Sequence, residues 1–257
     1  EGGTLAGQDI DKLVFGRAAE ERPFVRVGGS TVVPANYATI ACSPHLPIMA
    51  FMAVRLTAKQ LGDCFELAAE DAIASIEGGI ALTGPKFIPV DAEDKGETDI
   101  VVRSGNLVVL GEAKSSTTSQ LPIFSELKAV EKAILQLVRR SSALSSHRTI
   151  KHAHGHELLP SEAVVENLVV TKHSFGGQIR NWISLHELEG VSAVNLIDVN
   201  GLELVVKCCS DFAELVAYLQ FRRRFMASGG AATDELDLLW TYLSPADYRV
   251  RSVLQQF

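Results

Sequence analysis

Asp99, Glu112 and Lys114 are the residue types of a hydrolytic metal site, and a β-hairpin would fold them together. Residues 97–114 read as two β-branched strands around Ser104-Gly105-Asn106. If Gly105-Asn106 is a two-residue hairpin loop, Ser104 pairs with Leu107 and the same register sets Asp99 opposite Glu112. Glu112 and Lys114 then share a face, because strand side chains alternate with period two. Two opposed carboxylates repel each other. A divalent cation between them turns repulsion into ligation, since hard cations such as Mg2+ take carboxylate oxygens. An ammonium group beside that cation is placed to stabilise a phosphate oxyanion or to orient a water. The pattern is that of a metal-dependent phosphodiester-cleaving site.

A blander reading exists for each residue. Glu-x-Lys on a strand is commonly a solvated ion pair, and Asp is a frequent turn residue at a strand entry. The flanking sequence favours the sharper reading. Ile100-Val101-Val102 and Leu107-Val108-Val109-Leu110 are continuous apolar runs, the signature of strands buried on both faces. Charges that end such strands are costly unless something compensates them.

The elements that must position these residues are legible around the hairpin. Residues 1–56 read as an irregular arm, broken at Pro34, Pro44 and Pro47, with one strand near Thr31–Val33. Thr57-Ala58-Lys59-Gln60 is a capping-box pattern that opens a helix. Leu61, Phe65, Ala68, Ala69, Ala72, Ile73 and Ile76 form its core stripe, and Gly78-Gly79 ends it. Lys86–Val90 reads as a short strand, followed by an acidic turn over 91–96. A second long helix is expected over about 122–144, with Leu127, Val130, Ile134, Leu137 and Val138 inward. After a His-rich loop come a strand over 164–171, a hairpin of 192–199 with 202–206 around Asn200-Gly201, and helices over 211–226 and 233–243.

The 257 residues are enough for one core with appended elements, and the composition is that of an ordinary globular protein. No apolar run is long enough to span a membrane, and no signal peptide is recognisable. The chain starts at Glu1, which suggests a piece of a longer polypeptide. The four cysteines have no Cys-x-x-Cys spacing; reduced thiols in a cytoplasmic protein are expected. A net charge of −7 argues against a uniformly basic nucleic-acid binder. Basic residues nevertheless concentrate at Lys128, Lys132, Arg139 and Arg140, on the helix next to the hairpin, where they could track phosphates or simply solvate the helix. His147, His152, His154 and His156 invite a zinc reading, but no cysteine or acid motif accompanies them, and a solvent- or DNA-facing loop is the alternative.

From residue 57 the expected order is α-β-β-β-α-β, an α/β (α+β) fold with a mixed sheet flanked by helices. That order, with its acids, resembles the restriction-endonuclease-like PD-(D/E)xK nuclease superfamily over about residues 57–172, within a domain spanning 57–257. Asp99 matches the motif aspartate, although Thr98 stands where the family often has proline. Glu112-Ala113-Lys114 matches the (D/E)-x-K element. Gly62-Asp63-Cys64-Phe65-Glu66 is similar to the family's helical Gly-x-x-Phe-Glu pattern, and Gln136 fits a glutamine on the following helix, without the tyrosine of the RecB-like branch.

The resemblance implies that Asp99, Glu112, Glu66 and the Ala113 carbonyl ligate Mg2+, for which Mn2+ would substitute. Glu70, one turn after Glu66, is a rival for the helical acid. Lys114 would orient or help deprotonate the attacking water, or stabilise the phosphorane, and Gln136 would hydrogen-bond a phosphate or a ligating carboxylate. The implied protein is a DNA-cleaving module of a larger bacterial restriction or anti-phage defence system. The alternative is an inactive nuclease-fold module that binds nucleic acid or a protein partner.

Overall fold

The structure is a computed structural model that describes residues 24–27, 31–34, 57–89, 96–115, 123–172, 191–228 and 235–243. Most of the expected N-terminal arm and most of the acidic turn at 91–96 lie outside these residues. The chain divides into two compact units, residues 1–64 with 116–122, and residues 65–115 with 123–257. In the first, β1 (Phe24–Val27) pairs antiparallel with β2 (Thr31–Pro34). Helix α1 (Ala58–Ala74) opens on a reciprocal capping box: Gln60 N–H donates to Thr57 Oγ1 and Thr57 N–H to Gln60 Oε1.

The second unit is built on a mixed five-stranded sheet. After α1 come β3 (Ile80–Ala81), β4 (Lys86–Phe87), β5 (Glu97–Thr98), β6 (Ile100–Ser104) and β7 (Leu107–Lys114). Next follow α2 (Ile123–His147), β8 (Thr149–His152), β9 (Gly155–Leu158), β10 (Val164–Thr171) and β11 (Val194–Asp198). Helices α3 (Val199–Cys208), α4 (Phe212–Ala227) and α5 (Glu235–Leu243) complete the described chain. The main sheet has the order β11-β10-β7-β6-β3, and a second sheet has β5-β4-β8-β9. Its strands β6 and β7 form the expected hairpin, with Ser104 opposite Leu107 and Gly105 at φ 56° in the turn. Strand β10 returns parallel to β7 after α2, so β7 is central and buried on both faces, as its unbroken apolar run requires.

Alternation divides the core. Val109 and Ala113 of β7 pack with Phe65, Ala69 and Ile73 of α1 and with buried residues of α3, α4 and α5. Val108 and Leu110 face the other way, against Leu127, Val130, Ile134 and Leu137 of α2. The even-numbered end of β7, Glu112 and Lys114, therefore lies on the α2 side.

Three expected elements differ. Lys86–Val90 supplies only β4, which belongs to the second sheet; the main-sheet strand before the hairpin is β3. The His-rich stretch is not a loop but the β8–β9 hairpin, with Lys151 opposite His156. Asn200-Gly201 is no hairpin turn: Asp198 caps α3, its carboxylate accepting from the Asn200 and Gly201 N–H groups at 3.1 Å each. An Asx side chain three residues before Gly is equally a helix start, and the apolar run after it packs as a helix. Among the described residues no helix is long and apolar enough to cross a membrane.

Candidate active site

The β6–β7 ladder ends at Ile100 opposite Gly111. One residue further back, Asp99 sits in a bend where the chain leaves β5 in the second sheet and enters β6 in the main one. In the hairpin register the odd residues of β7 turn their backbone groups toward β6, so Ala113 has its N–H and C=O on the edge where the ladder has run out. Asp99 fills that gap. Its Oδ2 accepts from Ala113 N–H at 2.9 Å and from Lys114 Nζ at 3.2 Å. Thr98 donates its hydroxyl to the Gly111 carbonyl at 3.0 Å, a bond proline at that position would not make.

Lys114 Nζ also donates to Glu112 Oε2 at 2.7 Å, so one ammonium touches both carboxylates. Asp99 and Glu112 are thereby on one face, as the hairpin register requires. Glu112 is almost wholly buried, whereas the side chains of Asp99 and Lys114 keep 16% and 27% of their exposure. The site is reached from solvent past these two. The second oxygen of Glu112 accepts from Arg140 Nη1 on α2, itself buried. Burial and the nearby Asp99 charge raise the Glu112 carboxyl above the usual carboxylate range, against the pull of Lys114 and Arg140. Burial alone would lower Lys114, but Glu112 and Asp99 outweigh it and hold its ammonium protonated. Both directions reflect a cluster that gains by holding positive charge.

The oxygens present fit a hard divalent cation. Asp99 and Glu112 both reach Lys114 Nζ, so their carboxylates lie about one cationic group, and carboxylate oxygens are donors that a hard divalent cation takes. Among the described residues no three His, Cys, Asp or Glu side chains are grouped to hold a metal ion. Asp99 and Glu112 are a pair, and Glu66, the further ligand the resemblance implies, is half-buried on α1. The rival acid Glu70 is fully buried and bound to Lys86, whose Nζ lies 2.6 Å from its Oε1. The His152–His154 ring contact likewise belongs to no metal group among the described residues.

The basic residues of α2 separate into two kinds. Lys128, Lys132 and Arg139 are exposed along one face of the helix. Arg140 is not a surface phosphate contact: one position on from Arg139, it turns inward with Leu137 and Leu144 and neutralises Glu112. Gln136 is half-buried one turn before Arg140. Sequence reasoning named Arg140 and Glu70 for other roles, a phosphate contact and a rival ligand, and missed Lys86. An arginine on the apolar stripe of α2 was a readable signal for the first; nothing local marks Lys86, because its partners come from α1 and from the Asp99 bend.

No family model matches the chain, and no curated protein or solved structure matches it.

Proposed function

We propose that this protein is a metal-dependent nuclease of the PD-(D/E)xK kind that hydrolyses DNA phosphodiesters, acting in a larger restriction or anti-phage defence assembly. One observation carries the reading: the Asp99 and Glu112 carboxylates, from the bend before β6 and from β7, meet on the single ammonium of Lys114 at a partly exposed edge. Like charges brought together are destabilising, and although Asp99 also accepts from Ala113 N–H, a neutral acceptor would serve that bond without the repulsion. Asp99, Glu112 and the Ala113 carbonyl would hold Mg2+ or Mn2+, which supplies Lewis-acid stabilisation of the phosphate and an acidified water. Arg140 keeps one Glu112 oxygen and leaves the other turned toward Asp99. Lys114 contributes positive charge where the phosphorane develops, or a hydrogen bond that orients the water. Lys128, Lys132 and Arg139 offer a DNA backbone three contacts on one face of α2.

The test is incubation of the protein with supercoiled, linear and single-stranded DNA in Mg2+, Mn2+ or EDTA, beside Asp99→Asn. Cleavage is expected with metal and lost in EDTA and in the variant; cleavage that survives both would sink the proposal. A second reading, a non-cleaving module that binds nucleic acid, draws on the fact that both Glu112 oxygens already have cationic partners. Metal-independent DNA binding without cleavage would favour it. In either case Lys128→Ala with Lys132→Ala and Arg139→Ala should flatten the salt dependence of binding, by roughly 0.9 in log–log slope per lost phosphate contact.

A further inference from the structure

Glu70 and Lys86 form a buried ion pair that the hydrolytic chemistry does not use. Their side chains are 9% and 7% exposed, and Lys86 Nζ lies within 2.7 Å of both Glu70 oxygens. Such a pair costs desolvation that hydrophobic residues of equal volume would avoid. Its remaining bonds indicate why it is there. Lys86 Nζ donates to the Asp99 carbonyl at 2.9 Å, and Glu70 Oε1 accepts from Val101 N–H at 3.1 Å.

The backbone groups of Asp99 and Val101 point to the edge of β6 away from β7, because Ile100 faces β7 in the ladder. Strand β3 covers that edge only as far as Ala81 opposite Val102, with Leu82 N–H still reaching the Val101 carbonyl. Beyond it β6 has no strand neighbour on that edge in the main sheet, and the chain crosses to the other sheet at Asp99. The ion pair stands in for the missing strand, with one donor and one acceptor two residues apart.

We infer that Lys86, anchored by Glu70, is a positioning residue for Asp99: it fixes the peptide at the sheet switch so that the Asp99 carboxylate stays over Ala113 N–H and beside Glu112. The inference rests on the metal-site reading and assigns to the helical acid Glu70 a backbone-holding role rather than a ligand's. A tilted Asp99 peptide carries its carboxylate with it, since side-chain direction follows backbone φ and ψ.

Mn2+ binding, followed by the electron paramagnetic resonance signal of the free ion, tests this without any need for activity. The Lys86→Met/Glu70→Gln double variant removes both charges without leaving either one buried alone. Its affinity for Mn2+ should fall ~10–100-fold, the usual loss when support behind a metal ligand is removed. Lys86→Arg, which keeps donors at that position, should recover part of the loss. Arg223→Met, on the opposite face of the sheet, controls for destabilisation and should leave affinity unchanged. If the folded double variant binds Mn2+ as the parent does, the positioning role is overturned and the metal site stands. If the parent itself binds no Mn2+, both fall. Should the double variant not fold, Glu70→Gln alone serves: it keeps an acceptor for Val101 N–H but slackens Lys86, and unchanged affinity overturns the inference equally.

Discussion

The two faces of the central sheet each bury a glutamate against an arginine, and only one of them has the makings of a reactive site. On the α2 side Glu112 of β7 meets Arg140, but also Lys114 and, through it, Asp99. On the other face Glu166 of β10 meets Arg223 of α4 at 3.0 Å and the amide of Asn195, and among the described residues no second acid shares that arginine. Nearby, Glu235 of α5 binds Arg222 and the Tyr218 hydroxyl, fastening α5 to α4. Burial pushes the Tyr218 phenol well above its ordinary range, so it stays a donor. A buried carboxylate with one arginine is a structural clasp. On the α2 side two carboxylates share two cations, Lys114 and Arg140, and the partial exposure of Asp99 and Lys114 opens that balance to a competing ligand.

The sharpest way to break this comparison is to remove one acid from each face. Asp99→Asn and Glu112→Gln should each lower single-turnover DNA cleavage at least ~10³-fold, more than the loss of one oxyanion donor usually costs. Glu166→Gln, assayed well below its melting temperature, should leave the rate near that of the parent; an equal loss there would erase the distinction. Lys114→Ala should then cost ~10²–10³ in rate at saturating enzyme. Binding to DNA in Ca2+ should change little, as one contact among several. A parent-like rate would leave Lys114 a mere counter-ion.

The arginines sharpen the comparison on stability. Arg140→Met leaves Glu112 and Asp99 to share Lys114 alone and should lower unfolding free energy in urea titrations, by at most the ~3–5 kcal/mol usual for breaking a buried pair. Arg223→Met should cost less, because the Arg223 side chain is 32% exposed and its contribution is partly screened. The same reasoning separates the two acids. Removing Asp99 relieves repulsion, whereas removing Glu112 takes a carboxylate partner from buried Arg140, so a gain in melting temperature is expected only from the former.

The smallest effect is on pH. With its folded pKa raised above the unfolded value, Glu112 binds a proton more readily in the native state. Its contribution to stability is therefore fullest below the ordinary carboxylate range and declines as pH rises through the folded value. Metal-dependent cleavage, which needs the ionised form, should rise over that same window. Thermal melts from pH 4 upward should show the decline in the parent and lose it in Glu112→Gln.

Much of this was legible in the sequence because it is local. The hairpin register, the capping box at Thr57 and the stripe of α2 follow from turn residues and periodicity, and so does the meeting of Asp99 with Glu112 and Lys114. What was not legible depends on contacts between distant segments. Lys86 reads as the start of a strand, yet its ammonium is spoken for by α1 and the Asp99 bend. Arg139 and Arg140 look alike in a row of letters, and the 100° between successive helix positions sends one to solvent and the other to Glu112. Asn200-Gly201 misleads because an Asx residue and a following glycine favour turns and helix caps alike.

The crossover from β7 through α2 to β10 has a consequence for the order in which this molecule comes together. The β6–β7 hairpin closes over a two-residue turn, an event of microseconds, and Asp99 reaches Glu112 as soon as it does. Arg140 arrives only when α2 docks and β10 pairs with β7 across the whole intervening segment, the slow kind of contact. The two acids therefore meet while still wet, and are walled in afterwards with their arginine already beside them. Assembly in the opposite order would have to drive a bare pair of charges into a finished core.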